Sequence, residues 1–251
     1  MTWLPRFPQI SVALLAALGP GCVTVVPMQT ASVVAPGAYR LSGSATLSTW
    51  CSVSLDPAHN CNAGFAGGVP LPEARVGARH GLQGGFDLGS SLQAEVSVGR
   101  GYQLGLYADA KKEVWERETP AGHRQLLSVA PGLGYTAYEI TSGSSGSGVG
   151  VLDAALPVYF GHQSGNLEWV AGAKYIERFI FTDVDGDGRR ELLPLGELAV
   201  SVGLFAGGAT KFGVELAYQS GVDRPWGGLF NISAGVLWDV GLADAPAPAE
   251  E

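Results

Sequence analysis

The sequence predicts an all-β protein, an antiparallel up-and-down transmembrane β-barrel of about 10 strands (about 8–12 by the same pattern). Three observations predict it. Strand after strand alternates apolar with small or polar residues, so one face wants hydrocarbon and the other wants polar company. The alternating runs reach about 9–11 residues, the length a tilted strand needs to cross a bilayer. The 251 residues are 46% hydrophobic with 37 glycines and only 15% charged residues, yet no window past the N-terminus is a continuous apolar run of membrane-helix length. Apolar residues diluted by an inward polar set fit a barrel wall.

The spacing predicts strands at about 38–48, 73–81, 86–98, 102–115, 125–140, 149–161, 167–180, 196–207, 210–220 and 229–240. In the third, Phe86, Leu88, Leu92, Ala94, Val96 and Val98 oppose Asp87, Gly89, Ser91, Gln93, Glu95 and Ser97. In the fourth, Tyr102, Leu104, Leu106 and Ala108 oppose Gln103, Gly105, Tyr107 and Asp109. The fifth sets Leu127, Val129, Leu133 and Tyr135 against Ser128, Ala130, Gly132, Gly134 and Thr136. The eighth sets Leu198, Val200, Val202 and Leu204 against Glu197, Ala199, Ser201 and Gly203, and the ninth Phe212, Val214, Leu216 and Tyr218 against Lys211, Gly213, Glu215, Ala217 and Gln219. The last is the clearest: Phe230, Ile232, Ala234, Val236, Trp238 and Val240 fall on one face.

The opposite face is Gly, Ala, Ser and charges of both signs. A soluble β-sandwich would place the apolar faces in its core and this face in water. So much glycine and alanine suits the crowded lumen of a small barrel better, and its charges must be paired or wetted. Tyr39, Tyr102, Tyr135, Trp169, Tyr175, Tyr218 and Trp238 stand near strand ends, where a barrel carries its aromatic girdles. The connections sort into a mostly long set (49–72, 99–101, 141–148, 181–195, 221–228) and a mostly short set (82–85, 116–124, 162–166, 208–209). An N-terminus on the periplasmic side puts the long set outside the cell.

The barrel is expected over 38–241, between a signal peptide (1–21) with a linker (22–37) and a disordered polar tail (242–251). Arg6 precedes a short apolar core, Ile10 to Leu18, too short to remain as a membrane span. Gly21-Cys22 after that core resembles a bacterial lipoprotein signal, which implies acylation of Cys22 and makes 22–37 a lipid tether. The aliphatic residue, Leu18, sits four before the cysteine instead of three. Cys51 and Cys61 remain, ten apart, and in an oxidising compartment such a pair forms a disulfide. The end of the last strand, Ser233-x-Gly235-x-x-Trp238-x-Val240, resembles the insertion signal of small Gram-negative outer-membrane β-barrel proteins. That resemblance covers about residues 38–240 as a pattern. It implies outer-membrane lipid and the barrel-assembly machinery as partners, and the cell outer membrane as location.

The sharpest local motif is Asp183-x-Asp185-x-Asp187-Gly188-x-x-Glu191. Carboxylates at alternate positions can converge on Ca²⁺, with the Arg189 carbonyl and Glu191 adding oxygens. The motif resembles DxDxDG calcium loops, but Pro194 stands where an EF-hand has its bidentate Glu. An acidic hairpin tip would use the same Asp-Gly pairs without a metal. His162-x-Ser164 resembles, at those two residues, the outer-membrane lipid A deacylases, with Glu168 near in sequence. No His pair has zinc-ligand spacing, and the Gly-rich 143–150 lacks a phosphate-binding Lys. The net charge of −8 argues against nucleic acid. The expected role is non-enzymatic: an envelope protein that is structural or binds through its outer loops. A narrow solute channel, a lipid hydrolase and a secreted calcium-binding sandwich are the alternatives.

Overall fold

The computed structural model describes residues 28–52, 72–97, 101–142, 145–182, 191–222 and 227–241, and contains no helix among them. The strands are β1 Tyr39–Ser52, β2 Pro72–Leu82, β3 Phe86–Ser97, β4 Gly101–Glu118, β5 Arg124–Val129, β6 Gly132–Ser142, β7 Ser145–Ser164, β8 Leu167–Thr182, β9 Glu191–Gly207, β10 Thr210–Gly221 and β11 Gly227–Val240. Each pairs antiparallel with its neighbour, and β11 returns to β1 from Tyr39↔Val240 to Ser52↔Gly227. The sheet therefore has no free edge, as a wall in lipid requires.

β5 and β6 are two halves of one barrel strand, so the eleven segments make a ten-stranded cylinder. The sequence reads this strand as continuous over 125–140. Two prolines break it. Pro131 and Pro157, which lack an N–H to donate, still accept from Ala110 and Ala130, each at 3.0 Å. The ladder thus loses one bond on each side of the gap while the register continues. The tract 141–148, read as a loop, is mostly a paired hairpin closing at Ser142↔Ser145. Backbone pairing asks nothing of its Gly and Ser side chains.

The register fixes the barrel's tilt. From Tyr39, steps between partners run to His80, Leu88 and Ala110, across the Pro131 break to Leu156, then to Tyr175, Leu198, Ser220 and Gly228. The path returns to β1 at Cys51, twelve residues above its start (51 − 39). A stagger of twelve over ten strands tilts them about 40° from the axis, from the 3.3 Å rise and 4.8 Å strand spacing.

The alternation read from the sequence is the alternation of the wall. Leu88, Leu92, Leu104, Leu106, Leu198, Val200, Val202, Val214 and Ile232 are exposed on the outside, and Phe212 is 67% exposed. Asp87, Ser91, Gln93, Asp109, Glu197, Ser201, Glu215 and Ser233 are buried on the inside. The glycines explain how the inside is filled. A side chain at Gly213 would collide with the Phe205 ring, and one at Gly172 would come within 3.3 Å of Tyr159. Tyr159 and Phe205 are fully buried in the lumen because those glycines leave them room.

Both chain ends of the barrel and the turns 83–85, 119–123, 165–166 and 208–209 lie at one end of the cylinder. The β7–β8 turn is only Gly165-Asn166, with Gly165 at φ +57°, a conformation that side chains other than Asn and Asp rarely adopt. The opposite ends of the strands form the other end of the cylinder, the loop end. Tyr39, Phe86, Trp169, Phe212 and Trp238 are exposed near the turn end of their strands, as a girdle would be.

Candidate functional site: the filled lumen

The inward side chains form ion pairs and networks, most of which cross from one strand to another. At the turn end Arg79 of β2 clamps Asp87 of β3 and Asp109 of β4, the latter at 2.5 and 3.0 Å. Arg40 of β1 makes a bidentate pair with Asp239 of β11, at 2.5 and 3.0 Å. Lys211 of β10 reaches Glu168 of β8 at 3.0 Å. Towards the loop end Arg178 of β8 bridges Asp153 of β7 at 2.8 Å and Glu197 of β9 at 3.0 Å, and Glu197 also accepts from Gln219. Between them lie Lys174 with Glu215, 3.7 Å apart, and Arg75 with Glu73 at 2.8 Å. These are charge-assisted contacts that tolerate a low dielectric because both partners are present.

A stretch of the chain outside the sheet fills the turn end of this lumen. Residues 28–34, within the stretch read as a linker, are buried except for the half-buried Val33. The wall grips their backbone. Lys111, which is 0% exposed, donates to the carbonyls of Ser32 at 2.7 Å and Thr30 at 3.2 Å. Asp87 accepts from the Val34 amide at 2.8 Å, and Glu168 from the Ala31 amide at 3.0 Å. Arg40 donates to Thr30 Oγ1 at 2.6 Å, and Gln29 Nε2 donates to Asp109 at 3.2 Å. The segment turns at Pro36-Gly37 and joins the barrel where the Gly37 amide meets the Gly81 carbonyl at 3.0 Å.

A cavity of about 20 Å³ lies between this segment and the wall, lined by Met28, Gln29, Arg40, Ser91, Asp109 and Lys111 among others. That is room for about one water. Gln29 Oε1 and Ser91 Oγ, which face this neighbourhood, lack a hydrogen-bond partner among the described residues.

The residues singled out in the sequence fare differently. Asp183, Asp185, Asp187, Arg189, Cys22 and Cys61 lie outside the described residues, as do the side chains of Cys51 and Glu191. Both flanks of the acidic motif are at the loop end, since Thr182 pairs with Glu191. His162 and Ser164 share the outer face of β7, two residues apart, so His162 is not the partner of Ser164. The serine Oγ instead lies 3.3 Å from His123 Nε2, in the β4–β5 turn. His162 meets His123 edge-on and stacks on Trp169. Glu168, the expected acid, points into the lumen, and no carboxylate bonds either imidazole among the described residues. A pairing between His123 and Ser164, which are 41 residues apart, carried no local sequence signal. Nor did the filling of the lumen by 28–34, which is short, uncharged and without periodicity.

The chain matches no protein-family model and no curated protein in sequence. Among solved structures it is similar to the beta domain of the Bordetella autotransporter BrkA, at 13% identity over 81% of this chain and 99% of that one, with a TM-score of 0.45. It is also similar to the translocator domain of the autotransporter NalP from Neisseria meningitidis, at 15% identity over 91% and 94%, with a TM-score of 0.40. Neisserial surface protein A matches at 11% identity over 80% and 98%, with a TM-score of 0.37.

Proposed function

We propose that this chain is a non-conducting, non-catalytic outer-membrane protein of a Gram-negative envelope, which displays its loop end at the cell surface. One observation carries the reading: the polarity of the cylinder is inverted relative to a soluble protein. Leucine, valine and phenylalanine side chains stand exposed around the wall, while arginine, lysine and carboxylates are buried in the bore. An apolar belt of that extent in water would aggregate, whereas in lipid it is the favoured surface. The bore is occupied by Tyr107, Tyr159, Phe205, the ion pairs and residues 28–34, which favours an anchor over a channel.

Within this reading the acidic loop binds Ca²⁺ through Asp183, Asp185, Asp187, the Arg189 carbonyl and Glu191. Ca²⁺ there rigidifies a displayed loop. Cys22 carries the lipid, and Cys51 and Cys61 pin the first loop. Fractionation of expressing cells tests the core of the reading. The expected result is an outer-membrane protein with heat-modifiable gel migration, silent in planar bilayers and cut by external protease near 181–195 on intact cells. Recovery from the soluble fraction, or steady conductance steps, overturns it. Cleavage at 116–124 on intact cells instead reverses the orientation.

The Ser164–His123 contact favours one second reading, a lipid-ester hydrolase at the turn-end rim. It predicts an esterase activity that Ser164→Ala and His123→Ala both abolish.

A further inference from the structure

We propose that the turn end of the lumen is a binding site for a short, uncharged peptide, filled in cis by residues 28–34, which leave and re-occupy it while the ten strands stay closed. The register of the wall closes through strands alone, and the segment adds no ladder to it. Most of its contacts with the wall run to backbone, Lys111 to two carbonyls and Asp87 and Glu168 from two amides, while two run to side chains, Arg40 to Thr30 Oγ1 and Gln29 to Asp109. Main-chain hydrogen bonds of this kind supply affinity in peptide recognition.

The charges of the floor do not depend on the segment. Arg40 keeps Asp239, Arg79 keeps Asp87 and Asp109, and Lys211 keeps Glu168. Lys111 keeps Asp87 at 3.7 Å. Residues 28–34 contain no charged side chain. Their departure therefore strands no ion, and water takes over the freed donors and acceptors. A water-sized cavity already lies beside Gln29 and Ser91. One contact does limit what the site takes. The Ala31 methyl lies 2.5 Å from where a side chain on Gly161 would begin, so only a small residue fits at that point.

The test uses the full chain folded into vesicles, with Cys22, Cys51 and Cys61 changed to Ser and Ser32→Cys as a near-isosteric reporter. A water-soluble maleimide should label the introduced thiol while the folded, heat-modifiable band is intact. A synthetic peptide of residues 27–37 should speed labelling by occupying the vacated site. Lys111→Met, which removes both bonds to the segment's carbonyls, should raise the labelling rate at least about tenfold. Thr30→Cys carries the same readout if the first reporter does not fold. Labelling that appears only in step with loss of the folded band overturns the proposal, as does a peptide without effect on the rate. Neither result bears on membrane location or on conductance.

Discussion

The Ala31 amide donates to Glu168 Oε1 at 3.0 Å, joining residues 137 apart in sequence. The other oxygen of that carboxylate takes Lys211 and Gln163, each at 3.0 Å. One side chain thus ties the lumen segment, β7, β8 and β10 together. It does so with all its partners inside the cylinder, where water cannot compete freely for them.

The loop-end network should be sensitive to removal of its shared cation. Arg178→Met leaves Asp153 and Glu197 buried without their bridging guanidinium, a loss of about 3–5 kcal/mol by the usual size of broken buried pairs. Arg124, paired with Glu116 where both are nearly half exposed, is the contrast, and Arg124→Ala should change stability by at most about 1 kcal/mol. Denaturant titration of the two variants in the same vesicles measures the difference. Equal effects would mean that the bore is wet.

Gly213 should resist any side chain. A methyl there meets the Phe205 ring, so Gly213→Ala is expected to destabilise by about 1–3 kcal/mol. Much of that should return in Gly213→Ala combined with Phe205→Leu. A double-mutant cycle with no coupling would refute the ring-over-glycine contact.

Val200 is 57% exposed on the outer face of β9, flanked inwardly by Ala199 and Ser201. Val200→Arg should cost about 2–4 kcal/mol in a bilayer if this position sits near its midplane. In a soluble protein the same change would be close to neutral or improve solubility. Refolding yield and denaturation midpoint in vesicles separate the two.

The acidic loop should bind Ca²⁺ weakly, with a Kd of about 10⁻⁴–10⁻³ M if it behaves as extracellular sites do. Asp185→Asn and Asp187→Asn should each weaken it about tenfold or more in calorimetry, with barrel stability unchanged. Heat of binding that survives both substitutions would place the ion elsewhere.

Much of the wall was legible because a strand in a two-sided environment prints its period into the chain. Leu88, Leu92 and Leu104 against Asp87, Ser91 and Gln103 could be read from the residues alone. Strand ends were less legible. Hairpin pairing runs past the apolar stretch wherever two backbones lie alongside, as at Ser142↔Ser145, whatever the side chains. The break at Ala130–Pro131 could have been suspected from Pro131 alone; its counterpart, Pro157, is 26 residues on and becomes a neighbour only through the fold. The interior was least legible. Lys111 meets Ser32 across 79 residues, and nothing local in either sequence neighbourhood announces the other.

Because the wall reads amides and carbonyls, drift should be uneven between the two sides of that contact. Ser32 and Val34, gripped by the wall through their backbone, are free to change identity across related chains while they remain uncharged, whereas Gln29 and Thr30 also bond the wall through their side chains. Lys111, Asp87 and Glu168 have no such latitude, and Gly161 must stay bare opposite Ala31. Relatives of this protein, once aligned, should vary on the guest and hold constant on the host.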